Sequence, residues 1–260
     1  MNNSPQVFKS IVDFQHWRKQ IATGSRQNTV GFVPTMGALH QGHASLLKKS
    51  VAENDFTILS IYVNPTQFNN PEDLKKYPVT LEADLAIAQS CGVQAVLCPT
   101  YEQIYPDFYR YKVSESAFSK NLCGEHRPGH FDGVLTVVMK LLNIVRPDRA
   151  YFGEKDYQQL RLIEDMVKSF FMSIQIIPVP TLREESGLAM SSRNVRLSTE
   201  GRKKAALIFQ LLRQEKDTES IKSQLTANGF IVDYVEDIQD RRFVAATLEG
   251  IRLIDNVTLK

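Results

Sequence analysis

FTILSIYV, residues 56–63, is a continuous run dominated by β-branched and aromatic side chains. A strand with one wet face alternates apolar and polar residues. An unbroken run is typical of a strand covered on both faces, as in a parallel sheet under helices. Upstream, residues 29–33 form a second short apolar run that ends at Pro34. Between the two runs, Ala44, Leu47 and Val51 recur at i, i+3 and i+7, which is helical spacing. Downstream, Leu81, Leu85 and Ala88 make another helical stripe, with Gly92 placed to cap it. Residues 95–98 read as a short strand stopped by Pro99. Val138, Leu141, Leu142 and Val145 mark a helix that must end before Pro147. A strand at 150–152, a helix carrying Leu160, Ile163 and Val167, and a strand at 174–179 complete the alternation. This order predicts an α/β fold: a Rossmann-like parallel sheet with helices on both faces and right-handed crossovers.

The pattern changes after Pro178 and Pro180. Two helical segments, 199–213 and 218–228, precede alternating stretches at 230–236 and 243–255 that read as antiparallel strands. The expected division is a larger domain, residues 1–177, and a smaller C-terminal α+β domain, residues 178–260. The length of 260 residues agrees, at about 150 residues per domain. The charged stretch at 214–219 reads as a solvated connection between helices. There is no internal repeat and no low-complexity segment.

Composition excludes several classes of function. Hydrophobic residues are 43% and charged residues 23%, ordinary for a globular chain and wrong for a disordered one. The net charge of +2 argues against a nucleic-acid-coating protein or a polybasic membrane binder. No apolar run approaches the roughly 20 residues that cross a bilayer. Met1 is followed by Asn2, Asn3, Ser4 and Pro5, which is no secretory signal. Cys91, Cys98 and Cys123 form no C-x-x-C pair, and read as packing thiols in a reducing cytoplasm. No metal-ligand set is expected.

Four motifs carry chemistry. PTMGALHQGH, residues 34–43, stands where a strand ends and a helix begins, the edge at which open parallel sheets bind ligands. Gly37 and Gly42 permit a tight turn and close approach. His40 and His43 share one side of the first helical turn, beside free N–H groups that suit a phosphate. Two imidazoles there could stabilise charge on a departing pyrophosphate. YVNPTQF, residues 62–68, sets the neutral amides of Asn64 and Gln67 at the same edge, although Asn64-Pro65 also reads as a plain turn. FGEKDYQQL, residues 152–160, offers Lys155 to a phosphate, Asp156 to a ribose hydroxyl and Gln159 one turn on. A Lys-Asp pair alone is more often surface charge. MSSRN, residues 190–194, combines two hydroxyls with a guanidinium as a phosphate clamp, or simply caps the helix beyond it. Phosphate ligands dominate, so nucleotide chemistry is the best class, with Mg2+ held mainly by phosphates and water. Asp84 reads more simply as a surface helix carboxylate than as a magnesium contact.

In order and spacing, these motifs and the run RPGHFDGVLTVVMKLLNIVRPDRAYFGEKDYQQL (residues 127–160) closely resemble the pantothenate synthetase (pantoate–β-alanine ligase) family. The resemblance resumes in RLIDN, residues 252–256. H-x-G-H alone belongs to a wider nucleotidyltransferase superfamily. The resemblance implies ATP-dependent condensation of pantoate with β-alanine through a pantoyl adenylate, releasing pyrophosphate and AMP. By motif, Met36, Gly37, Ala38, Leu39, His40, Gln41, Gly42 and His43 would line the ATP site, with His43 the proton donor. Gly153, Glu154, Lys155 and Asp156 would contact ATP. Gln67 would lie between pantoate and β-alanine, and Gln159 would hold pantoate. Met190, Ser191, Ser192 and Arg193 would close over the triphosphate from a C-terminal lid, and Leu182 would meet adenine. The catalytic residues implied are His40, His43 and Lys155. The family also implies a homodimer formed through the larger domain, while charge, hydropathy and cysteine usage leave a cytoplasmic protein with no nucleic-acid or membrane partner. Two departures stand out: Val79 replaces a common Arg, and the helical part of the lid is short.

Overall fold

A computed structural model describes residues 4–22, 28–214 and 217–259. Nine strands, β1 (Gln6–Phe8), β2 (Val30–Thr35), β3 (Phe56–Ile61), β4 (Ala95–Leu97), β5 (Arg149–Gly153), β6 (Gln175–Val179), β7 (Ile231–Ile238), β8 (Arg241–Leu248) and β9 (Ile251–Thr258), form two sheets. The first has the order β1-β4-β3-β2-β5-β6, and every pairing in it is parallel. The second is the antiparallel β7-β8-β9. The α/β class and the parallel sheet agree with the reading of the sequence.

The helices follow the same logic. They are α1 (Ile11–Ala22), α2 (Gln41–Glu53), α3 (Pro71–Lys75), α4 (Leu81–Cys91), α5 (Tyr101–Ile104), α6 (Cys123–His126), α7 (His130–Val145), α8 (Tyr157–Ser169), α9 (Thr199–Ala205), α10 (Leu207–Gln214) and α11 (Thr218–Ala227). One core fills the space between the sheet and α7 and α8, where Phe32, Ile58, Leu135 and Ile163 are buried. A second lies on the opposite face, with Val33, Leu47, Leu59 and Ala88. Adjacent residues of β2 and β3 therefore serve opposite cores, as two-sided burial requires. Gly92 ends α4 in the left-handed conformation at φ 83°, the expected glycine cap.

Several expectations need correction. β2 does not stop at Pro34 but runs through it to Thr35. Its ladder with β5 stops at Phe32, while the ladder with β3 continues to Thr35. Proline is tolerated because pairing on one side has already ended. The strands diverge there and open a crevice. The stretch 243–255 is not one strand: Glu249 and Gly250, at φ 53° and 74°, turn β8 into β9. Two consecutive positive φ values make a tight turn matched to strand twist. The helix expected at 199–213 is two, α9 and α10, separated at Ala206. The edge strand β1 and helix α1 carry too little periodicity to have been foreseen. Part of the charged connection at 214–219 lies outside the described residues.

The small sheet packs on both sides. Phe243 and Ala245 of β8 join the core of the large sheet, whereas Val244, Ala246 and Leu248 face α10 and α11. The period-two alternation of one strand thus binds the C-terminal helices to the rest of the molecule.

Candidate active site

Strand order reverses between β2 and β5: β3 and β4 build outward from one, β6 from the other. The crevice beyond the carboxyl ends of such neighbours is where ligands enter open sheets. The segments following β2, β3 and β5 are three of the motifs read above.

After β2 the chain turns through Gly37 at φ 78° and Ala38 at φ 50°. A Cβ on Gly37 would stand 2.9 Å from Asp84 Oδ2 and 3.0 Å from Ile61 Cγ2, so the turn requires glycine. Asp84 receives the N–H groups of Ala38 and Leu39 at 3.0 and 2.8 Å and the Thr80 hydroxyl at 3.1 Å. It is 1% exposed. The expectation of a surface carboxylate is overturned: Asp84 is a buried tether, and its oxygens are occupied by protein donors rather than available to a cation.

The turn delivers His40 to the N-cap of α2. Gly42 N–H donates to His40 Nδ1 at 3.1 Å, and His40 N–H donates to His43 Nδ1 at 3.2 Å. Each Nδ1 accepts, so in the neutral ring each proton sits on Nε2. Burial, with Lys155 adding repulsion, brings His40 down to about 4; burial and His40 bring His43 down to about 3. Both rings are neutral donors at physiological pH, 4.1 Å apart between centroids.

After β3, Asn64 is 1% exposed. Its Nδ2 donates to Gln67 Oε1 at 3.0 Å and to the Gly133 carbonyl at 3.1 Å. Its Oδ1 accepts from Thr66 and Tyr105 hydroxyls at 3.0 and 2.8 Å. Asn64 therefore orients Gln67, whose Nε2 is left to donate. The Gln67 carbonyl accepts from His130 Nδ1 at 2.8 Å and from Arg127 Nη2 at 3.1 Å. Arg127 Nη1 lies 3.1 Å from His130 Nε2. A guanidinium only donates, so His130 Nε2 accepts and its proton is on Nδ1. Burial, reinforced by Arg127, holds His130 down to about 3.

After β5, Lys155 Nζ stands 3.7 Å from Asp156 Oδ2. Asn256 of β9 donates through Nδ2 to the carbonyls of Glu154 and Lys155, both at 2.9 Å. In the clamp loop, Arg193 Nη2 pairs with Asp73 Oδ2 at 2.9 Å, and Arg196 Nη1 with Asp73 Oδ1 at 2.8 Å. The Ser192 hydroxyl lies 3.4 Å from that of Tyr77. Burial would raise Asp73, but Arg193 and Arg196 hold it below the usual carboxylate range.

Met36, His40, Gly42, His43, Asn64, Gln67, Gly153, Lys155, Asp156, Gln159, Leu182, Met190, Ser191, Ser192 and Arg193 all line one cavity. The backbones of Gly37, Ala38 and Leu39 shape its entry turn. Gln41 is exposed, and Glu154 supplies its carbonyl to Asn256. The Leu182 carbonyl accepts from Met190 N–H at 3.0 Å. Val134, Val137, Val138 and Leu141 of α7 form an apolar wall. The motif reading did not assign Arg127, His130, Asp73, Tyr77 or Asn256. RPGH and RLIDN contained three of them, but nothing in their spacing shows that they reach the cavity. Among the described residues, no three His, Cys, Asp or Glu side chains gather as a metal site, and no helix is long and apolar enough to cross a membrane.

Residues 6–258 match the model of the family described as pantoate-beta-alanine ligase. The chain is 58% identical over 254 residues to the pantothenate synthetase of Bdellovibrio bacteriovorus, covering 98% of this chain and 99% of that one. It is 50% identical to the Legionella pneumophila pantothenate synthetase over 98% of this chain and all of that one. The crystal structure of the pantoate-beta-alanine ligase from Francisella tularensis, complexed with beta-gamma ATP and beta-alanine, superimposes with a TM-score of 0.93 at 42% identity. That match spans 98% of this chain and 97% of the other.

Proposed function

The chain belongs to the pantoate–β-alanine ligase family, and from that premise we infer that it condenses pantoate with β-alanine at the expense of ATP. A pantoate carboxylate oxygen attacks the α-phosphorus, and pyrophosphate leaves. The amine nitrogen of β-alanine then attacks the acyl carbon, loses a proton and expels AMP. A free carboxylate is a poor electrophile, and the mixed anhydride is a good one. Positioning and charge stabilisation are the protein's main tasks.

The observation that carries this reading is the pair of neutral histidines at the N-terminus of α2. Their Nε2–H groups and the helix N–H groups are fixed donors for the phosphates, already oriented before charge develops. His43 holds the departing pyrophosphate through its Nε2–H as a hydrogen-bond donor, keeping its proton because the ring is neutral, and His40 does the same beside it. Lys155 supplies a point charge, Gly153 to Asp156 meet the nucleotide, and the backbone around Leu182 borders adenine. Met36 to His43 form the floor. Gln67 and Gln159 hold pantoate's hydroxyl groups, and the apolar wall of α7 receives its two methyl groups. Residues 178–260 act as the lid, and Met190 to Arg193 close over the triphosphate. The substrate is MgATP, with the magnesium ligands supplied mainly by phosphates and water, as the small, strongly hydrated ion favours.

Pantoate-dependent exchange of labelled pyrophosphate into ATP without β-alanine tests the first step. With β-alanine added, free AMP and pantothenate should form in equal amounts. A stable adenylylated product would instead identify a nucleotidyltransferase that stops at the adduct. Three free cysteines suit a cytoplasmic enzyme, which fractionation of cells would check. The family resemblance supports a homodimer, to be tested by sedimentation.

A further inference from the structure

A second cleft adjoins the nucleotide cavity between α3, the clamp loop and β9, and Arg127 lines both. Four arginines line this cleft. Arg193 and Arg196 share Asp73, and Arg252 pairs with Asp233 at 2.7 Å. Arg127 alone among them has no carboxylate within ion-pair distance among the described residues. The two acceptors it meets, the Gln67 carbonyl and His130 Nε2, are neutral. They fix the plane of the guanidinium but leave its charge uncompensated. Desolvation, with the neighbouring charges of Arg193 and Arg252, pulls Arg127 down to about 10, so it remains cationic. A half-buried, pre-oriented, unpaired guanidinium at a cavity wall calls for an anion.

On the reading given above, three anions pass through the site. The polyphosphate has its own donors in His40, His43, Lys155 and the α2 N-terminus. Pantoate's carboxylate becomes a mixed anhydride and loses its charge, so a fixed cation on it would stabilise the ground state and oppose the reaction. The carboxylate of β-alanine keeps its charge from entry to product. A permanent fork is compatible only with that group.

We propose that Arg127 is the carboxylate-binding residue for β-alanine, which enters through the second cleft. The fork grips the carboxylate beside Gln67 while the amine, two methylenes away, points toward the acyl carbon. His130 is then a positioning residue that holds the fork's plane. The arrangement selects a short amino acid over a plain amine.

The test compares β-alanine with 3-aminopropanamide, which has the same amine but no carboxylate. Each enzyme's kcat/KM ratio is normalised to its own pyrophosphate exchange, so any general loss divides out. Wild-type enzyme should prefer the acid by roughly 10–100-fold, the range of a charge-assisted contact. In Arg127→Gln the preference should fall to near unity. Arg127→Lys keeps the charge without the fork, so it should lie between, with KM for β-alanine raised several-fold. A wild-type ratio retained in both variants overturns the proposal. So does loss of exchange with the ratio intact, which would give Arg127 to pyrophosphate. Absence of exchange in the wild-type enzyme would instead overturn the parent reading.

Discussion

At the scale of single residues, His40 and His43 owe their chemistry to backbone hydrogen bonds. Each Nδ1 is occupied, so Nε2 carries the proton, and both rings line the cavity. His43→Ala should cut pyrophosphate exchange by about 10²–10³-fold, the effect of losing one pre-oriented donor to a charged transition state. Near-normal exchange would make His43 a cap and no more. His130 adds a pH effect. It titrates at about 3 when folded, against 6.5 unfolded. Between those values the unfolded chain holds the extra proton, so stability is complete above pH 6.5 and is lost as pH falls toward 3. By pH 5 the loss from this residue is about 2 kcal/mol. Melting curves at pH 7.5 and 5.0 should show a smaller drop in His130→Gln than in wild type. An equal drop would assign the acid sensitivity elsewhere.

At the scale of elements, two acidic residues hold loops that border the cavity. Asp84 ties α4 to the turn before α2 and so sets where the histidines stand. Asp84→Asn retains the shape but replaces an acceptor with a donor facing backbone N–H groups, at about 1–3 kcal/mol for each buried group left unsatisfied. Exchange should fall at least tenfold, and raising magnesium should not restore it. Rescue by magnesium would return Asp84 to the role of metal contact. Asp73 joins α3 to the clamp loop through Arg193 and Arg196. Asp73→Asn should raise KM for ATP about tenfold, because the clamp then loses its charged anchor. A change in kcat with KM untouched would show that the loop closes without it.

At the scale of the whole molecule, the C-terminal part completes the site from outside the large sheet. Asn256 holds the carbonyls of Glu154 and Lys155, so a β9 residue sets the loop that carries Lys155. Asn256→Ala should lower exchange about tenfold and stability by about 1 kcal/mol, as two half-buried acceptors lose their donor. Unaltered exchange with lowered stability would confine Asn256 to packing. The short helical part is no peculiarity of this chain, since the Bdellovibrio bacteriovorus relative aligns over 99% of its own length.

Much of this organisation was legible in the residues. FTILSIYV announced a doubly covered strand because burial on both faces leaves no place for polar alternation. H-x-G-H was legible because a cap, a glycine turn and two imidazoles are all local in sequence. β1 was not legible, being three residues long at a sheet edge, nor was the β8–β9 turn, whose Glu-Gly pair is a weak signal. Asp84 was misread because helical position says nothing of what packs above it. The sequence by itself determined the α/β class, the motifs at the strand ends and the family, since these rest on short-range pattern and residue order. Tertiary structure alone decided which nitrogen of each histidine carries its proton, which carboxylate holds Arg193 and which of the four arginines in the second cleft has none among the described residues. Those depend on partners brought together across many residues, and hydrogen-bond pairing over such distances leaves no periodic trace in the chain.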